Sequence, residues 1–217
     1  MRLHLVFLFL LAFGLAQAQV ADTTFLPLRS LKISIADMLD PFAPAFLLGF
    51  EHRIAPRWSL MAEGGFVTSF EGRYLMQKPM SGYKARGEVK RYFEFQKTSA
   101  AWYFGLQYMW RTTTIPNEKG LFCLNGCPDL RYVELLYDFS RRIDAGHLSL
   151  GFLLKTESRA LWEFSVFGGF RHRVPMFEGV PAGARFVRIP NRYFSFRQKD
   201  PDTLPSIGCA IRVGFQM

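Results

Sequence analysis

PSIGCAIRVGFQM, residues 205–217, carries an apolar side chain at every second position from Ile207 onward: Ile207, Cys209, Ile211, Val213, Phe215 and Met217. Ser206, Gly208, Ala210, Arg212, Gly214 and Gln216 between them are small or polar. Successive side chains of a β-strand point to opposite faces, so this is a strand with one wholly apolar side. The period recurs along the chain. Trp102, Phe104, Leu106, Tyr108 and Trp110 alternate with Tyr103, Gly105, Gln107 and Met109, and Leu148, Leu150, Phe152 and Leu154 with His147, Ser149, Gly151 and Lys155. Trp162, Phe164, Val166 and Phe170 do the same, as do Leu31, Ile33 and Ile35, and Phe46, Leu48, Phe50 and Ile54. With 57–69 and 82–93, the pattern predicts eight strands.

The connectors alternate as well. Short turns occupy 54–58, 94–99 and 156–160, and long polar loops occupy 37–44, 70–81, 115–130 and 174–204. Short turns at one end and long loops at the other are the layout of an outer-membrane β-barrel, with periplasmic turns and extracellular loops. Trp58, Trp102 and Trp162 each open a strand just after a short turn. Three indoles at one level predict an interfacial aromatic girdle. Residues 130–143 alternate on the odd face, through Val133, Leu135, Tyr137, Phe139 and Ile143. This segment is read as an extension of the sixth strand, with a bulge or turn at 144–146 moving the apolar face to even numbers. Ten strands is the alternative.

If the apolar faces meet lipid, the opposite faces line a lumen. They carry Lys32, Glu51, Arg53, Glu63, Lys84, Arg86, Glu88, Lys90, Arg111, Glu163, Arg171 and Arg212. Eight strands leave room only for side chains, so these charges should pair and plug the interior. A soluble sandwich with such a core would carry costly unpaired charges.

The first eighteen residues read as a signal peptide: Arg2, an apolar run over 5–15, and Ala16-Gln17-Ala18 as cleavage site. Eleven apolar residues are too few to cross a bilayer as a helix. Residues 19–217 are then one exported domain. Net charge is +9, aromatics make up 16% and mean hydropathy is +0.05. A basic exported chain suits anionic headgroups and lipopolysaccharide phosphates, and nucleic acid is not an expected partner.

The run LKISIADMLDPFAPAFLLGFEHRIAPRWSLMAEGGF (31–66) resembles the opening of a family of small bacterial outer-membrane barrels, the domain of unknown function 3575 group. Lys32-Ile33, Gly49-Phe50-Glu51-His52-Arg53 and Pro56-Arg57-Trp58-Ser59-Leu60 carry the resemblance, with GEVKRYF (87–93), 148–173 and the closing strand. The resemblance implies an eight-stranded antiparallel up-and-down barrel, assembled by the outer-membrane barrel machinery, with no known activity. The chain departs from the pattern by ending on Met217 rather than an aromatic residue.

Nucleotide loops, metal-spaced His/Cys clusters and nucleophile elbows are absent, so no metal or cofactor is expected. His147 and Ser149 share one inward face, with Glu163 on the next strand. A His-x-Ser pair of this kind serves lipid A deacylases, but there it lies on the lipid side, and a buried hydrogen-bonded pair is the plainer reading. Cys123 and Cys127 flank an Asn-Gly turn and are candidates for a disulfide in an exported loop. Cys209 on the apolar face should stay a free thiol. Arg185, Arg188, Arg192, Arg197 and Lys199 lie among aromatics in the last loop, where they either hold an anionic ligand or partner or are simply solvated. The expectation is a non-enzymatic structural or interaction protein of the Gram-negative outer membrane. A small pore, a lipid A-modifying enzyme and a soluble periplasmic sandwich are the alternatives.

Overall fold

A computed structural model describes residues 27–40, 43–69, 79–94, 100–123, 132–156, 159–181, 184–186 and 201–217. The expected signal peptide lies outside them. The described chain is all-β apart from one helical turn. Its strands are β1 (Arg29–Ser34), β2 (Ala45–Ala55), β3 (Trp58–Ser69), β4 (Met80–Glu94), β5 (Ala100–Cys123), β6 (Tyr132–Lys155), β7 (Ala160–Glu178), β8 (Arg185–Phe186) and β9 (Asp202–Gln216). The turn is α1 (Ile35–Met38).

All nine strands belong to one antiparallel sheet, ordered β4-β3-β2-β1-β9-β7-β6-β5-β8, and a β4–β5 pairing joins the sheet back onto itself as a ring. The closing strand meets the first, with Leu31 opposite Phe215 and Ile33 opposite Val213. With β8 set aside, chain order and ring order agree: each strand pairs with the next and β9 closes on β1, the cheapest closure in loop entropy. Connectors at one edge are short, at 56–57, 95–99 and 156–159; those at the other edge span 35–44, 70–79, 124–131 and 179–201.

The count differs from the eight strands expected. The ninth, β8, has two residues and pairs with the far end of β5, Phe122 with Phe186 and Cys123 with Arg185. It exists because β5 and β6 each run for 24 residues, about 80 Å of extended chain. They overshoot the ring and offer β8 an open edge. Parts of the expected loops at 115–130 and 174–204 are therefore strand.

The expected bulge at 144–146 is not there. β6 pairs without interruption with β7 through this stretch, Ile143 with Arg173 through His147 with Gly169. The register shift lies instead in β5, between Ile115 and Glu118. Asn117 there has φ 52°, and its backbone N–H donates to Asp138 Oδ1 at 2.9 Å. Pro116 has no N–H to give the ladder and is tolerated at such a bulge. What changes near residue 144 is the chemistry of the two faces. From Tyr137 onward the odd-numbered residues of β6 point inward, so Tyr137, Phe139 and Ile143 are buried along with His147 and Ser149.

The ring thus has two zones. Between the turn edge and the row Tyr108–Gly146–Phe170–Pro205, outward side chains are apolar and exposed, and inward ones are largely polar and buried. Beyond that row the polarity reverts to that of a water-soluble protein. Outward positions carry Arg142, Asp144, His172 and Thr203, and the inside carries a layer of arginines followed by an aromatic cluster. Phe122 meets Tyr137 edge-on at 5.4 Å, and Phe139 lies 5.5 Å from Phe177. Each such pair adds about 0.5–1.5 kcal/mol beyond burial.

β1 is shorter than expected: the strand ends at Ser34, and Ile35, placed on its apolar face from sequence, opens α1. This turn brings Asp37 inside the ring, where Ser34 Oγ donates to its Oδ2 at 2.6 Å.

Candidate functional site

The interior of the first zone is one connected ion-pair network. Lys32 bridges Glu51 and Glu163. Lys90 reaches the same two carboxylates, at 3.1 Å and 2.9 Å. Arg212 holds Glu163, Glu63 at 3.0 Å and Glu88 at 3.3 Å. Arg86 links Glu63 at 3.1 Å to Asp37 at 2.7 Å, and Lys84 completes the chain on Asp37. Five cations meet five carboxylates, so the network is neutral. Tyr92 and Tyr103 donate to Glu51 and Glu163 at 2.7 Å each, and Ser149 to Glu88 at 2.5 Å. Ser59 also donates to Glu51.

The side chains are placed by strand parity and by small residues opposite large ones. A Cβ on Gly151 would run into the Tyr103 ring, and one on Gly49 into the Glu63 side chain. Below the network, Tyr92, Ala101, Tyr103, Leu153 and Leu161 form an apolar layer at the turn edge. Arg53, half-buried there, lines with Lys32, Glu51, Ser59 and Tyr92 a cavity of about 10 Å³, room for one water.

The sequence placed Lys32, Glu51, Glu63, Lys84, Arg86, Glu88, Lys90, Glu163 and Arg212 in this interior, and the structure joins them. Arg53 sits at its turn-side rim, and Arg111 and Arg171 lie above it towards the loop edge. Pattern reading missed Asp37, because nothing in a loop sequence says that it folds back into a ring. It also missed Ser59, Tyr92 and Tyr103, although their parity was legible.

His147 and Ser149 both point inward but are not bonded to one another. Ser149 is engaged by Glu88, and neither ring nitrogen of His147 has a partner among the described residues. Glu163 is held by Lys32, Lys90, Arg212 and Tyr103 instead. The expected hydrogen-bonded pair is not formed, and neither is a base–nucleophile arrangement.

Above the network lies a layer of arginines. Arg111, Arg141, Arg171 and Arg173 come from the inward faces of three adjacent strands, and Arg111 and Arg173 share a row through Ile143. Arg173 is clamped by Asp202, Nε to Oδ1 at 2.7 Å. Asp40 stands 3.9 Å from Arg111. Burial, and then the cations Arg173, Arg111 and Arg171, push Arg141 down to about 10. The Arg173 hydrogen bond holds the Asp202 carboxyl below its ordinary value. Outside, Asp144 accepts from Arg142 Nε at 2.9 Å and from the Tyr108 hydroxyl at 2.6 Å, which lowers its pKa.

Trp58, Trp102 and Trp162 are exposed along the turn edge of the ring, and Arg91 lies over the Trp58 ring at 5.7 Å. Cys209 is an exposed free thiol. Cys123 ends β5; Cys127, Arg188, Arg192, Arg197 and Lys199 lie outside the described residues, and Arg185 is placed only by its backbone in β8. Among the described residues no cluster of metal-ligating groups occurs. Among the described residues no helix is long and apolar enough to cross a membrane, which says nothing of a β-barrel.

Comparison with family models, curated proteins and solved structures finds no match to this chain. The resemblance to small outer-membrane barrels therefore rests on the motif residues quoted above.

Proposed function

We propose that the ring is an eight-stranded, up-and-down transmembrane barrel of the Gram-negative outer membrane, plugged and non-enzymatic, acting as a structural or interaction protein. The observation that carries this reading is the inverted polarity of the first zone. Among the described residues, 31 large apolar side chains are exposed, most of them on this belt, with a tryptophan edge at the turn side. A soluble monomer rarely exposes continuous apolar patches beyond a few hundred Å². Ten charged groups fill the opposite face, where a soluble domain keeps its apolar core. A closed ring leaves no unpaired strand edge, as hydrocarbon requires.

On this reading the short turns face the periplasm and the extended β5–β6–β7 wall stands outside the cell, where its ordinary polarity suits water. The outward Arg142 and Asp144 then lie at headgroup level beside lipopolysaccharide, and the loop edge is where a protein partner would dock. The interior ion pairs, joined into one network, support a structural role over a pore, and the unassembled His147–Ser149 pair gives no support to lipid modification. Fractionation of expressing cells should place the protein with outer-membrane markers. Purified protein in planar bilayers should give no reproducible single-channel steps. Recovery in the soluble periplasm would overturn the membrane reading, and steady conductance would overturn the plug.

A further inference from the structure

The two edges of the apolar belt treat their outer cations differently. At the loop edge Arg142 is neutralised by Asp144, which accepts from its Nε at 2.9 Å and its Nη2 at 3.2 Å. At the turn edge Arg29, Arg57, Arg91 and Arg159 are exposed, and none of the four has a carboxylate partner among the described residues. Arg57 and Arg91 stand beside one tryptophan. Trp58 opposes Arg91 in the β3–β4 ladder, and the carbonyl of Arg57, in the turn just before β3, accepts the Tyr92 N–H at 2.7 Å. The Arg91 guanidinium lies over two exposed outward rings, Trp58 at 5.7 Å and Phe93 at 5.5 Å. A guanidinium held over ring faces keeps its in-plane N–H donors free, and the rings reduce the side-chain freedom lost when those donors are engaged.

We infer that Arg57, Trp58, Arg91 and Phe93 form a binding site for the headgroup of an anionic glycerophospholipid at the turn-side rim of the belt. The inference rests on the transmembrane reading, which sets this rim in the periplasmic leaflet. A phosphodiester takes guanidinium donors in pairs, and the indole sits at headgroup depth. Phosphatidylcholine offers the same phosphate but brings its own cation, so unpaired arginines favour a headgroup with net negative charge. An acidic protein surface would also meet the arginines. It would not match the rings beneath Arg91, which continue into exposed Leu60 on β3 and into Phe104, the β5 partner of Arg91. Apolar rings below and free cations above are the two halves of a lipid, acyl chain and charged head.

The test uses the full chain with Trp102→Phe, Trp110→Phe and Trp162→Phe, which leaves Trp58, beneath Arg91, as the single tryptophan. In vesicles of phosphatidylcholine brominated on its acyl chains, quenching of Trp58 reports contact with lipid and so tests the transmembrane reading by itself. In equal mixtures of phosphatidylcholine and phosphatidylglycerol, brominating one lipid at a time reports which of them occupies the site. Phosphatidylglycerol should be preferred, by about fivefold for each arginine engaged. Arg91→Gln should lower the preference about fivefold, and Arg142→Gln should leave it unchanged. Should Arg91→Gln fail to fold, Arg57→Gln should lower the preference in its place, as should raising salt to about 1 M, where the Debye length is about 3 Å. Quenching by brominated phosphatidylcholine with no preference for phosphatidylglycerol would overturn the site and leave the transmembrane reading standing. No quenching by either lipid would overturn both. A preference untouched by Arg91→Gln and by Arg57→Gln would overturn the assignment to these side chains. A glutamate-rich peptide that binds the protein in phosphatidylcholine vesicles, where no lipid preference is found, would give the edge to an acidic protein and overturn the lipid site.

Discussion

Replacing Glu163 by Gln tests whether the interior is one network or a set of independent pairs. Glu163 is wholly buried and takes Lys32, Lys90, Arg212 and the Tyr103 hydroxyl. The amide keeps one acceptor for four donors and leaves five cations against four carboxylates. Breaking one side of a buried ion pair costs about 3–5 kcal/mol, and Glu163→Gln should fall in that range. Lys32→Met alone leaves the opposite imbalance and should cost a similar amount. The double variant is neutral again. Lys90 still has Glu51 at 3.1 Å, and Arg212 still has Glu63 at 3.0 Å and Glu88 at 3.3 Å. Its loss should be smaller than the sum of the singles by about 1–3 kcal/mol. Urea unfolding in lipid vesicles, followed by tryptophan fluorescence and by the mobility of unheated samples on gels, measures all four species. Additive losses, or a Glu163→Gln cost under about 1 kcal/mol, would refute a continuous buried network.

Other expectations can be checked with the same unfolding assay or by NMR. Leu106→Arg, in the middle of the outer belt, should destabilise the vesicle-embedded protein by about 2–4 kcal/mol, and Thr112→Arg, beyond the belt, by about 1 kcal/mol or less. Asp37→Asn removes the carboxylate that bridges Lys84 and Arg86; it should cost about 3–5 kcal/mol and increase protease cleavage near α1. For Asp202 the folded pKa is lowered, so the Arg173 pair adds stability above the ordinary value of 3.8 and loses it as pH falls through the folded value. A carboxyl carbon titration should place its midpoint below 3.8.

The strands were legible because a period of two cannot be produced by a helix, and strict alternation of short and long connectors fixed the up-and-down order. Legibility failed where its hidden assumption failed. Taking apolar residues as outward is sound inside the belt, as at Leu148 and Leu150, and wrong at Phe139 and Ile143 in the same strand. Beyond the belt the outside is water again, so the aromatic side turns inward without any bulge. The real bulge, at Pro116-Asn117, was hidden inside what read as a polar loop. Strand parity assigned the lumen charges, but pairing between them needs the register of strands far apart in sequence, such as Glu63 and Arg212. That Gln107 and His147 lack partners among the described residues is invisible to any pattern, since a missing partner is a property of three dimensions alone.

The central claim is that the apolar face of the ring meets hydrocarbon, and the chain carries its own probe for it. Cys209 is an exposed free thiol on the outer face of β9, beside Val166 of β7. A nitroxide attached to Cys209 in protein reconstituted into phospholipid vesicles reports collisions with dissolved oxygen and with a water-soluble nickel chelate. The account predicts strong relaxation by oxygen and almost none by the chelate. Relaxation by the nickel chelate comparable to that of a label placed at Arg142 would show that the belt faces water, and would contradict the account.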